Sequence, residues 1–302
     1  MDLLELCAGV GGLSIACERV LGCRVAVQVD MDAHTALVRS RHWPDAEQVV
    51  ADLRALAVPP SWHGMALTAG FPCQDLAYGG SGRGLDGARS GLFFEVLRIL
   101  CDVEAPLVLL ENAPALLAKH RSVVDACLIG AGYGVTWVRL AASHVGAPHI
   151  RHRVFVVGRR GGWTSKVIDL GVVPRTGRHW PTPTAGDARR SGKRHGQGAC
   201  NAGRSLTDAV ARGRGLSQHR LNPDWVELLL GLPPGWTRDK GPRLEIPNRP
   251  MWATAKGELR DHFEPPRTII PLWGQHRTRR LRMTGNAVVW AQAERALQLA
   301  GF

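Results

Sequence analysis

A cysteine in Gly70-Phe71-Pro72-Cys73-Gln74, an acid in Glu111-Asn112 and two arginines in Arg151-His152-Arg153 are residues whose types and settings suit catalysis. Cys73 follows the apolar run Met65 to Ala69 and sits in a turn made by Gly70 and Pro72. Its thiol is therefore expected in a crevice at the carboxyl end of a sheet, where open α/β folds bind substrates. As a thiolate it would be a nucleophile. The stretch Gly79-Gly80-Ser81-Gly82-Arg83-Gly84 that follows is suited to closing over a bound substrate. The other six cysteines, at 7, 17, 23, 101, 127 and 200, are read as small buried hydrophobes. They form no C-x-x-C pair, so neither a zinc site nor a disulfide framework is expected.

Glu111 ends the apolar run that begins at Pro106, which brings a carboxylate to the same sheet edge. Partial desolvation there would raise its pKa enough to carry a proton near neutral pH; a helix-capping or ion-paired acid is an equal alternative. Arg151 and Arg153 alternate along an extended segment and so share a side, an arrangement suited to gripping a phosphate or a carbonyl oxygen. Gly9-Val10-Gly11-Gly12 makes a glycine turn between a strand and a helix, where a ligand can approach bare backbone amides. Asp30, ending the second strand, can accept hydrogen bonds from ribose hydroxyls, so the pair points to a nucleoside-containing cofactor. Asp52-Leu53 could meet an adenine edge, or Asp52 could cap a helix.

These groups need a scaffold that brings strand ends together, and the first 158 residues have its pattern. Strands are read at Leu3 to Cys7, Arg24 to Asp30, Met65 to Ala69, Leu107 to Glu111, Gly134 to Leu140 and Val154 to Val157. Helices are read at Leu13 to Leu21, Ala33 to Arg41, Leu92 to Cys101 and Val123 to Ala131, and again at Ala287 to Leu299. The alternation predicts an α/β fold, a doubly wound and mostly parallel sheet covered on both faces. From about Gly161 to Pro271, Pro, Gly, Arg and Trp punctuate short segments, which predicts a smaller irregular lobe with little internal core.

Charge divides along the same line. Residues 1 to 158 carry 13 Lys+Arg against 15 Asp+Glu, and residues 159 to 302 carry 25 against 11. A polyanion is thus expected to meet mainly the C-terminal part. No apolar run reaches the roughly 20 residues needed to cross a bilayer, and the chain enters a strand-like segment without a signal-peptide pattern. The expectation is a monomeric, cytoplasmic protein, associated with the nucleoid, with no membrane and no metal.

Taken in order, Gly9 to Gly12, Pro72-Cys73-Gln74, Arg89-Ser90-Gly91-Leu92-Phe93-Phe94, Glu111-Asn112, Arg151-His152-Arg153 and Gly285-Asn286-Ala287-Val288 resemble the ordered motifs of the cytosine-C5 DNA methyltransferases. The resemblance implies S-adenosyl-L-methionine as cofactor and double-stranded DNA as partner. It also implies the chemistry: a cytosine is flipped out of the duplex, Cys73 adds to C6, Glu111 serves N3, and Arg151 and Arg153 stabilise the adduct. Carried over by motif, the cofactor would be held by Gly9, Val10, Gly11, Gly12, Asp30, Met31, Asp52, Leu53, Pro72, Leu92, Asn286 and Val288. Residues 1–160 and 273–302 would then form the catalytic S-adenosylmethionine-binding domain, and 161–272 the target-recognition domain of the S-adenosylmethionine-dependent methyltransferase fold. Three residues depart from the family pattern: Cys7 where Phe is usual, His149 where Gln is usual, and Trp290 where Pro is common nearby.

Alternatives separate on particular residues. The same cysteine chemistry on structured RNA is a second reading, against which the long basic insert favours duplex DNA. A catalytically inactive DNA-binding relative would show damage at Cys73 or Glu111, and both are intact. A zinc deaminase needs P-C-x-x-C, and three places after Cys73 stands Leu76. A nicotinamide oxidoreductase has no use for Pro72-Cys73-Gln74 or for so basic a C-terminal part.

Overall fold

The computed structural model describes residues 1–71, 91–174, 176–188, 205–211, 220–269 and 274–302. Eight strands form one sheet: β1 (Asp2–Leu6), β2 (Arg24–Asp30), β3 (Glu47–Val50), β4 (Ala66–Ala69), β5 (Leu107–Asn112), β6 (Tyr133–Ala141), β7 (His152–Arg160) and β8 (Ser165–Asp169). Their order is β3-β2-β1-β4-β5-β7-β6-β8. The first five run parallel, and only β7 opposes its neighbours β5 and β6. The chain winds outward from β1 to β3, then returns to lay β4 on the other side of β1. That reversal opens a crevice at the carboxyl ends of β1 and β4, the place where doubly wound sheets take ligands.

Side-chain alternation along β1 sorts the two faces. Leu4 and Leu6 join the core under α3 (Leu92–Val103) and α4 (Ala115–Gly130). Leu3 joins the core under α1 (Gly12–Leu21), α2 (Ala33–His42) and the last helix, α8 (Trp290–Ala300). Glu5 shares that second face and is buried, so a polar residue sits where the pattern calls for an apolar one. The antiparallel β7 has a consequence for the site. It starts where β5 ends, with Asn112 opposite Val154 and Glu111 opposite Phe155, so Arg153 arrives beside Glu111.

The expectation of little core after residue 160 needs correction. Trp180, Leu206, Leu221, Trp225, Leu228, Leu229 and Ala253 form a separate buried cluster. It is contributed by α5 (Leu206–Ala211), α6 (Pro223–Leu229) and β9 (Arg220–Leu221), which pairs with β10 (Thr268–Ile269), together with Trp180 and Ala253 from the connecting segments. Indole donors are satisfied within it, Trp180 Nε1 by the Thr254 carbonyl at 2.8 Å. The Asn222 side chain caps α6 by accepting from the Asp224 N–H, with Pro223 in the first turn. The polar helix α7 (Gly274–Asn286) then lies against α6, and Arg280 reaches Glu227 at 2.7 Å. At the other end, β8 pairs in parallel with β6, so the large sheet extends past residue 160.

Candidate active site

The carboxyl ends of β1, β2, β4 and β5 converge on a cavity of about 430 Å³. That volume is in the range of roughly 300–1,000 Å³ usual for small-molecule sites. Cys7 and Gly9 enter it after β1, Asp30 and Met31 after β2, Gly70 and Phe71 after β4, and Glu111 and Asn112 from β5. Arg151 comes from just ahead of β7 and Arg153 from its start, and Arg282, Met283, Gly285 and Asn286 from α7.

The glycine turn is built by backbone conformations that suit bare residues. Gly9 has φ +53° and Gly11 φ +84°, both left-handed. A side chain at Gly9 would meet nothing within 4 Å, whereas one at Gly11 would collide with the Trp43 indole. Gly9 donates its N–H to Asp30 Oδ2 at 2.8 Å, and Asp32 donates to Asp30 Oδ1 at 2.9 Å. Asp30 therefore fixes the turn with one lone pair on each oxygen, and a carboxylate has about four acceptor positions, so two are left for hydroxyls. Asp52 caps a single 3-10 turn, accepting from the Arg54 N–H at 3.0 Å, and also lines the cavity. That backbone bond and the Arg54 guanidinium hold its carboxyl below the usual range.

Glu111 is buried, and Arg153 Nε lies 2.8 Å from its Oε1 as an ion pair not aligned as a hydrogen bond. Its neighbour Asn112 donates from Nδ2 to the Phe71 carbonyl at 3.3 Å, which ties the end of β5 to the chain just ahead of residue 72. Arg151 uses its donors differently. Fully buried, it donates to the carbonyls of Ala287 at 2.9 Å and Gly285 at 3.4 Å, and so clamps the Gly285-Asn286 segment to β7. Burial, and then the Arg153 charge, bring its guanidinium down to about 9 against the pull of Glu111. From α8, Gln292 Nε2 donates to the Arg151 carbonyl at 2.9 Å and the Leu140 carbonyl at 3.2 Å. The two arginines share a side, as their spacing predicts, with one facing the acid and the other holding main chain.

Of the residues singled out from sequence, Gly9, Asp30, Met31, Asp52, Leu53, Leu92, Glu111, Arg151, Arg153 and Asn286 border this one cavity. Val10, Gly11, Gly12 and Val288 stand behind it: the Val10 carbonyl accepts from Trp236 Nε1, and Gly12 abuts the Val288 backbone. Pro72, Cys73, Gln74, the glycine-rich stretch 79–84, Arg89 and Ser90 lie outside the described residues, as does Cys200. Sequence reasoning passed over Thr35, Arg282 and Met283. The last two precede Asn286 by four and three residues, so helical spacing from Asn286 would have found them. Cys7, packed against the core, also lines the cavity, at φ +51°. Burial, with Asp30, Asp52 and Glu5 adding to it, pushes its thiol up to about 12, so it stays protonated. Cys17 and Cys23 are buried as expected, whereas Cys101 is exposed. His149 donates to the Leu229 carbonyl at 2.6 Å, and Trp290 Nε1 to the Gly231 carbonyl at 2.7 Å, so two of the three unusual residues serve the seam between sheet and second lobe.

The family model described as C-5 cytosine-specific DNA methylase matches residues 1–198. The Type II methyltransferase M.DsaV of Dactylococcopsis salina is 30% identical over 52% of this chain and 45% of its own length. M.BanI of Aneurinibacillus aneurinilyticus, also a Type II methyltransferase, is 31% identical over 53% of this chain and 39% of its own. The chain thus spans less than half the length of these two curated relatives. The solved structure of the methyltransferase EhMeth from Entamoeba histolytica aligns over 99% of this chain and 97% of its own with a TM-score of 0.61 at 12% identity, a likeness of fold. Among the described residues, no helix is long and apolar enough to cross a membrane, and no three His, Cys, Asp or Glu side chains are grouped to hold a metal ion.

Proposed function

The chain belongs to the C-5 cytosine-specific DNA methylase family, and from that premise we propose that it transfers a methyl group from S-adenosyl-L-methionine to C5 of a cytosine flipped out of double-stranded DNA. The observation that carries the proposal is the shared cavity. One continuous wall joins the glycine turn and Asp30, suited to a nucleoside, to the paired Glu111 and Arg153, suited to a polar heterocycle. The residues fit the cofactor: Gly9 leaves its space open, Asp30 keeps acceptor positions for ribose, and Met31, Leu53 and Leu92 offer apolar surface for a purine. Asn286 closes the far side, and Pro72 would complete the set.

Cytosine is a poor nucleophile at C5 until C6 is attacked. In the proposed reaction the Cys73 thiolate forms a bond to C6, and ring electrons move toward N3, which Glu111 hydrogen-bonds or protonates so that no charge accumulates. C5 is then an enamine carbon. Bound S-adenosylmethionine supplies an electrophilic methyl group for that carbon. Departure of the C5 proton to solvent base, return of any proton taken up at N3 to Glu111 and cleavage of the C6–S bond, its electron pair going back to sulfur, release the product and regenerate the thiolate. Arg153 orients Glu111 and faces the base with it, while Arg151 acts through the Gly285-Asn286 segment it clamps. Residues 1–160 and 273–302 serve as the catalytic domain, and 161–272, where cations outnumber acids, as the part that grips DNA phosphates.

Methyl transfer from radiolabelled S-adenosylmethionine to diverse duplex DNA, with bisulfite sequencing of DNA from expressing cells, tests the reading. Wild type should label DNA at one sequence context, and Cys73→Ser should fall to background while keeping wild-type circular dichroism. Absence of transfer by a wild-type protein that binds the cofactor, or comparable transfer by Cys73→Ser, defeats it.

A further inference from the structure

Arg39, in α2, is fully buried and belongs to none of the motifs. Its Nη1 donates to the Gly9 carbonyl at 2.8 Å and to Thr35 Oγ1 at 2.9 Å, and its Nε donates to Gln48 Oε1 at 2.9 Å. Gly9 and Thr35 both border the cavity. The Gly9 residue is thus held from two sides, its N–H by Asp30 and its carbonyl by Arg39.

Behind Arg39 the bonds run on through the sheet. Gln48 Nε2 donates to Gln28 Oε1 at 2.9 Å, and Gln28 Nε2 donates to Glu5 Oε2 and to Ser14 Oγ, both at 3.0 Å. Ser14 also donates to Glu5. The bonds cross β3, β2 and β1 and end at Ser14 in α1, the helix that the glycine turn leads into. This accounts for the buried Glu5 on the face that α1 and α2 cover.

A buried guanidinium is costly unless it is paired with a carboxylate. All three hydrogen-bond acceptors of Arg39 are neutral, and its Nη2 has no hydrogen-bond partner among the described residues. Burial draws the guanidinium down from its ordinary value, and the charges of Asp30, Glu5 and Asp32 counter it only through space. Packing alone gives no reason to keep such a group. Its fork-like geometry, which spans Gly9, Thr35 and Gln48 at once, does.

We propose that Arg39 is a positioning residue for the cofactor, setting the glycine turn and the Thr35 wall in the geometry that receives the nucleoside. The inference rests on the methyltransferase reading above. It predicts a loss in cofactor binding without a loss in the chemical step, because Arg39 holds the cavity wall and does not itself line it.

The test is calorimetric titration with S-adenosylhomocysteine, which needs no turnover, alongside the cofactor KM and kcat. Arg39→Met should weaken S-adenosylhomocysteine at least tenfold and raise KM by a similar factor with kcat within twofold. Arg39→Lys, able to reach one acceptor, should recover part of the affinity. Gln48→Leu, which frees Nε but leaves Gly9 untouched, should fall between, and it serves if Arg39→Met does not fold. Affinity within twofold of wild type in folded Arg39→Met, or in both Arg39→Lys and Gln48→Leu, overturns the proposal while the methyltransferase reading stands. Wild type unable to bind S-adenosylhomocysteine overturns that reading, and the proposal with it.

Discussion

The substitution His149→Gln should make the protein markedly more resistant to acid. The imidazole is fully buried, and because the Leu229 carbonyl can only accept, Nε2 must carry the proton of a neutral ring. Nδ1 has no hydrogen-bond partner among the described residues, so a second proton there would be a charge in the interior. Burial first, then Arg151, Arg153 and His179, push its pKa down to about 3 from an ordinary 6.5, despite the Leu229 bond. The unfolded chain therefore takes up a proton near pH 6.5 that the folded one refuses until about pH 3. The unfolded state binds more protons throughout that window, and stability falls as the pH falls. Each pH unit below 6.5 costs about 1.4 kcal/mol from this one group, hence about 2 kcal/mol at pH 5. A glutamine at this position would keep a donor for Leu229 and would not titrate. His42, pushed down to about 4, adds a similar slope, and Glu5, raised to about 7, opposes it between its ordinary 4.5 and 7. Both are common to the two proteins and cancel in the difference. Urea unfolding followed by tryptophan fluorescence at pH 7.5, 6 and 5 should show the variant gaining on wild type as the medium is acidified. Parallel pH dependences would show that His149 does not carry the acid sensitivity and refute the argument.

Two further outcomes follow from close packing and buried charge. Gly285→Ala drives a Cβ into the Ala185 nitrogen and the Thr184 carbonyl carbon, both backbone atoms. It should cost about 1–3 kcal/mol in the urea midpoint and weaken S-adenosylhomocysteine through Asn286, and wild-type values for both would contradict the packing. Arg280→Met strands the buried Glu227, which also accepts from the backbone N–H groups of Gly235 and Thr237. A loss of about 3–5 kcal/mol is expected, with much of it restored by adding Glu227→Gln; a double variant no more stable than the single would exclude the stranded charge as its cause.

Where burial alone dictates residue type, the sequence was readable. The limits of β2 coincide with the run Arg24 to Asp30, and β1 stops one residue short of the expected Cys7 because the backbone there turns to φ +51°. Edge strands escaped: Glu47–Val50 and Ser165–Asp169 lie at the two margins, half exposed, so neither face demands apolar residues. Helix α4 begins at Ala115, well before the expected Val123, because Lys119, His120 and Arg121 break the apolar pattern while remaining on its wetter side. Helix α7 was hidden for a different reason. Its residues are mostly polar, and its place is set by Arg280 reaching acids of α6 some fifty positions away, a pairing no local pattern reveals. The acid and the arginines were legible as motifs. Arg39 was not, because its significance lies in a carbonyl thirty residues back.

The packing of α8 against α1 bears on when the site comes into being. Arg19 and Glu294 meet at 2.8 Å across 275 positions of sequence, and Asn286 enters the cavity from just ahead of that helix. Residue 286 is made about 10–40 s after residue 73 at roughly 5–20 residues per second. Throughout that interval a nascent chain holds the glycine turn and Asp30 without the segment that closes their pocket. The cavity thus comes into being only once residue 286 has been made: pieces far apart along the chain wait for one another, and a nascent fragment short of that residue is a sheet with an open side.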